Sequence, residues 1–217
     1  MSLQNFENDV EKLHLQIKEC AKNSTEINSL YKGCQIWFSP IISQPKVLLI
    51  GFNPGAGYYN WEGKIVEQFE PLTALEYYLS DHTLANQTKK LFQIIENEDI
   101  LKHQTVKTNF YFFATSNVSD FKKLTKLLPQ EITKDIFHLA RIWTKHIIDS
   151  VKPSLILCEG IEAFKEVSVL FNNKINFEKS KIHQQFQDNE TIVFVYKRNR
   201  SSIIEKNQIG LILKNHF

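Results

Sequence analysis

Four short apolar runs set the limits on how this chain can fold. They are Val47-Leu48-Leu49-Ile50, Phe110-Tyr111-Phe112-Phe113, Leu155-Ile156-Leu157-Cys158 and Ile192-Val193-Phe194-Val195-Tyr196. None alternates with polar residues, so a strand built from any of them must be covered on both faces. Around them, apolar residues recur at helical spacing. Phe6, Val10, Leu13, Ile17 and Cys20 form one stripe, and Leu91, Ile94 and Ile95 another. Ile132, Ile136, Ala140, Trp143 and Ile147 form the clearest, and Phe164, Val167 and Phe171 a shorter one. Buried strands alternating with helices predict a parallel sheet in a layered α/β fold. A helix over about residues 5–22 precedes it. Residues 58–78 show neither period, and residues 172–189 are polar and loop-like.

The 217 residues suit one domain, 1–217, and 42% hydrophobic content fills a real core. A net charge of +2 argues against a polycation that coats nucleic acid, but leaves room for a local basic groove. Cys20, Cys34 and Cys158 form no C-x-x-C pair, which fits a reducing, cytoplasmic setting and no iron–sulfur cluster. No apolar stretch reaches membrane-spanning length, and no secretory signal precedes the acidic start, so no membrane partner is expected. His138 and His146 lack neighbouring ligands at metal-binding spacing, so no metal is expected. The phosphate-binding, dinucleotide-binding and esterase loop patterns are all missing, and no cofactor is expected.

In open parallel sheets, ligands bind at the carboxyl ends of the strands. Here those ends read Gly51-Phe52-Asn53-Pro54-Gly55, Ala114-Thr115-Ser116-Asn117, Glu159-Gly160 and Lys197-Arg198-Asn199-Arg200-Ser201-Ser202. The loop at residues 51–59 stands out. Its glycines permit sharp turns and close approach to a ligand. Pro54 fixes its own φ and restricts Asn53 to extended geometry, which holds the Asn53 amide in place. On its own the segment reads first as a tight turn after a strand.

Residues 47–55 nevertheless resemble the first motif of the uracil-DNA glycosylase superfamily. Its mismatch-specific and single-strand-selective branches carry Gly-x-Asn-Pro-Gly directly after the first strand. Gly51-Phe52-Asn53-Pro54-Gly55 matches it fully. Asn109, in Lys107-Thr108-Asn109-Phe110-Tyr111, looks like the asparagine that reads the polar edge of the base, though it also suits an ordinary strand entry. The family's last motif often reads His-Pro-Ser, or Asn-Pro-Ser in the mismatch-specific branch. Asn199-Arg200-Ser201 keeps the Asn and Ser but has Arg in place of Pro and no His. The resemblance spans roughly residues 46–203, and only its first motif is close.

The resemblance implies a three-layer sandwich with a central four-stranded parallel sheet flanked by helices. It implies a monomer that acts on uracil-containing or damaged DNA. Asn53 would orient water, and Gly51, Phe52, Pro54, Gly55, Tyr58 and Asn109 would surround the base. Arg198 or Asn199 would take the place of the His, and Arg200, Ser201 and Ser202 would hold phosphate. The serines were expected at a helix start. Asp81-His82 would gain a role only through the fold. Three readings follow: a base-excision glycosylase, the same fold binding nucleic acid with catalysis lost, or a binder of a free nucleobase or other small molecule.

Overall fold

The computed structural model describes residues 3–55, 66–173 and 177–217. Helix α1 (Leu3–Lys22) and the short α2 (Thr25–Leu30) lead into strand β1 (Gly33–Gln35) and then β2 (Val47–Gly51). Strand β3 (Val66–Gln68) precedes helices α3 (Glu76–Leu79), α4 (Thr83–Ile95) and α5 (Glu98–His103). Strands β4 (Thr105–Asn109) and β5 (Phe113–Ala114) come next, then α6 (Val118–Leu127) and the long α7 (Gln130–Val151). Strand β6 (Leu155–Cys158), helix α8 (Ile161–Leu170), the hairpin β7 (His183–Asp188) and β8 (Thr191–Tyr196), the small hairpin β9 (Arg198–Asn199) and β10 (Ser202–Ile203), and α9 (Lys206–Lys214) complete it.

The main sheet has five strands in the order β4-β2-β6-β8-β7. The first four run parallel, and β7 pairs antiparallel with β8 at the edge. Side chains alternate between faces along a strand. Leu48 and Ile50 therefore enter one core with Ile156, Val193 and the apolar faces of α1, α6, α7 and α8. Val47 and Leu49 enter the other with Leu157, Phe194 and residues of α3, α4, α5 and α9. Helices thus cover both faces, as runs without alternation require. Phe6, Val10, Leu13 and Ile17 are buried, as are Ile136, Ala140, Trp143 and Ile147, in agreement with the helical stripes.

Two expectations are corrected. The second parallel strand is Thr105–Asn109, not Phe110–Phe113. Its polar residues are fully buried, and their groups find partners inside: the Thr108 hydroxyl donates to the Ile36 carbonyl at 2.8 Å, and Lys107 joins a buried ion-pair cluster. The Phe run follows the strand into the core, with the Phe110 N–H donating to the Gly51 carbonyl. Phe113–Ala114 then pairs with β1 in a separate three-stranded sheet. The other correction concerns 172–189, read as a loop. His183–Asp188 is an edge strand, rich in glutamine because one side faces solvent.

Candidate functional site

The chain passes from β4 across β2 to β6, so the winding direction reverses between β2 and β6. Strand ends diverge at such a point and leave a crevice. A cleft of about 640 Å³ lies there, at the carboxyl ends of the parallel strands. Gly51, Phe52, Asn53, Pro54 and Gly55 line it from β2, and Lys107 and Asn109 from β4. Glu159 lines it from β6, and Arg198, Arg200 and Ser201 from the β9–β10 hairpin. Ser116 to Ser119, at the amino end of α6, close another side.

Asn53 is held by its own amide. Its Nδ2 donates to Thr115 Oγ1 at 2.9 Å, to the Pro54 carbonyl at 3.1 Å and to the Phe113 carbonyl at 3.3 Å. The reverse orientation would set oxygen against two carbonyl oxygens, so the amide direction is determined. Asn53 Oδ1 accepts no hydrogen bond among the described residues. The site therefore offers a half-buried acceptor of fixed direction.

Asn109 depends on Gly51. A β-carbon on Gly51 would stand 2.1 Å from Asn109 Oδ1 and 3.6 Å from Glu159 Oε2. Only glycine lets the two side chains meet above the strand end. Asn109 is 5% exposed, and its amide has no partner among the described residues. A buried amide with donor and acceptor both unused is costly unless something else satisfies it. Phe52 is largely core: its ring packs edge-on against Tyr111 at 5.0 Å and Phe121 at 5.5 Å. Tyr58 lies outside the described residues.

Beneath these residues is a buried charged cluster that the sequence reading missed. Lys107 Nζ donates to Glu76 Oε1 at 2.6 Å and to the Tyr77 hydroxyl at 2.8 Å, and stands 3.3 Å from Glu159 Oε2. The Tyr77 hydroxyl donates in turn to Glu159 Oε1. His82 Nδ1 accepts the Ala85 N–H at the start of α4, which leaves Nε2 to donate to Glu76 Oε2 at 3.1 Å. Burial alone would lower the Lys107 pKa, but the two carboxylates overturn that and raise it. Burial would likewise raise Glu76, yet Lys107 and His82 hold it below its usual value. Burial and the neighbouring Glu159 push the Tyr77 phenol up, so it stays a donor. Residues 76, 107 and 159 are far apart in sequence, and only their arrival at adjacent strand ends makes them one unit.

The last expected motif forms a tight hairpin, with Arg200 in the left-handed region at φ 53°. Arg198 turns over Gly160, its Nε and Nη2 each 3.2 Å from where a β-carbon there would lie. The hairpin brings Arg198, Arg200 and Ser201 to the cleft, but Asn199 and Ser202 do not line it. Neither serine begins a helix, because α9 starts at Lys206. No described helix is long and apolar enough to cross a membrane, and no group of three or more His, Cys, Asp or Glu among the described residues could hold a metal ion. Compared with known proteins, the chain matches no family model and no curated protein.

Proposed function

We propose that the protein hydrolyses the N-glycosidic bond of uracil or a related deaminated base in DNA. The observation that carries this reading is the pair of asparagines at one cleft: Asn53 with a fixed acceptor, and Asn109 with an unpaired buried amide beside it. Such an amide suits the edge of a base that offers a carbonyl beside an N–H. Asn53 Oδ1 orients a water molecule toward the anomeric carbon. The water oxygen bonds to that carbon, the carbon–nitrogen bond breaks, and the base departs with the electron pair. The water's proton goes to solvent, since an amide does not take it. Rate enhancement then rests on positioning rather than on a base. Arg198, Arg200, Ser201 and the amino end of α6 supply the phosphate-binding rim, where free N–H groups and guanidinium charge favour anions.

The test is abasic-site formation on single- and double-stranded oligonucleotides that contain uracil, with Asn53→Ala as control. Base release that the substitution abolishes supports the reading. Salt-sensitive DNA binding without release leaves a binding module. Neither release nor binding leaves a small-molecule site.

A further inference from the structure

The floor of the cleft selects among bases. Asn109 Oδ1 and Glu159 Oε2 both lie within 3.6 Å of one point above Gly51, whereas Asn109 Nδ2 is not among the nearest atoms to it. Read across the strand ends from β4 over β2 to β6, the floor therefore presents a donor, an acceptor and a second acceptor. The first two belong to an amide with no described partner. The third is a carboxylate oxygen whose only described contact is Lys107 at 3.3 Å. A ring edge that satisfies all three carries an acceptor followed by two donors. Among nucleobase edges this is a carbonyl, a ring N–H and an exocyclic amino group, as on guanine.

Charge points the same way. Glu76 and Glu159 share one buried cation, Lys107, and His82 is held neutral by accepting the Ala85 N–H. Arg198 stands on the wall, over Gly160, rather than on the floor. The floor thus has surplus negative charge and favours N–H groups. Uracil puts a second carbonyl at the third position, where it would meet the Glu159 carboxylate. Hypoxanthine puts a C–H there, which is neither attracted nor repelled strongly.

Resting on the reading of this cleft as a nucleobase site, we infer that it recognises a guanine-type edge, and that Glu159 is the specificity-determining residue that discriminates against uracil. In DNA the matching substrate is a guanine lesion that keeps this edge.

The test compares GMP, IMP and UMP, which share sugar type and phosphate, by calorimetric titration of the full chain. GMP and IMP differ only in the amino group. GMP is expected to bind about tenfold or more tightly than IMP, as befits a hydrogen bond to a charged group, with UMP weakest. Glu159→Gln should erase the GMP–IMP difference, and the wild-type series decides the matter even if that variant folds poorly. Equal binding, tighter IMP or UMP, or no binding of any of the three overturns the inference. A parallel release assay on oligonucleotides bearing uracil, hypoxanthine or 7-methylguanine separates the two claims. Uracil release without GMP preference defeats this inference and leaves the glycosylase. GMP preference without release of any base defeats the glycosylase and leaves the inference.

Discussion

Gly51→Ala should disable the cleft while leaving the fold in place. The added β-carbon would sit 2.1 Å from Asn109 Oδ1, far inside contact distance. The strand cannot yield, because β2 is paired on both sides by β4 and β6. The Asn109 side chain must rotate away, toward the open cleft. Overpacking of this kind costs about 1–3 kcal/mol, and the lower end applies because Asn109 gives up no described hydrogen bond. Losing a bidentate contact to a base should reduce base release roughly 10- to 100-fold, about 1.4–2.7 kcal/mol in the barrier. The assay pairs urea unfolding with single-turnover release, for wild type, Gly51→Ala, Asn109→Ala and the double variant. In the Asn109→Ala background nothing remains to clash, so Gly51→Ala should add almost no further loss. Full additivity of the two losses would refute the placement of Asn109 over Gly51. So would wild-type activity in Gly51→Ala.

Other consequences follow from the same contacts. Asn53→Asp introduces a stronger base, yet it sets carboxylate oxygen against the Pro54 and Phe113 carbonyls. It should lose about 1–3 kcal/mol in urea unfolding and release base no faster than wild type, and a faster variant would show that the carbonyl contacts do not fix the side chain. Lys107→Met leaves Glu76 and Glu159 buried without their cation and should cost about 3–5 kcal/mol, checked by denaturant unfolding. Stability should also depend on pH through this cluster. Glu76 is lowered from 4.5, so its contribution is present above that value and is lost as pH falls through the folded value. Lys107 is raised from 10.5, so its contribution is present below that value and is lost as pH rises beyond it. Thermal unfolding across pH should show both declines, with the alkaline one removed in Lys107→Met. Arg198→Ala with Arg200→Ala should weaken oligonucleotide binding and flatten its salt dependence by about one to two units of slope, measured by fluorescence anisotropy.

Local sequence determined the layered α/β arrangement. A run such as Val47-Leu48-Leu49-Ile50 is buried on both faces and can only be a central strand, and the stripe through Ile136, Ala140 and Trp143 can only be a helix against it. The turn at Gly51-Phe52-Asn53-Pro54-Gly55 was legible too, since glycine and proline act through their own backbone. Thr105–Asn109 was not legible as a strand, because Lys107 and Asn109 look solvated when their partners cannot be seen. Glu76, Tyr77, His82, Lys107 and Glu159 were invisible as a group for the same reason. A buried charge is tolerable only beside its counter-charge, and that proximity comes from strand order rather than from any periodicity in the chain. The tertiary structure alone decided that these side chains meet under Gly51. It decided as well that the hairpin carries Arg198 and Arg200 to the cleft and leaves Asn199 outside it, because the tight turn sets which residues reach the cleft.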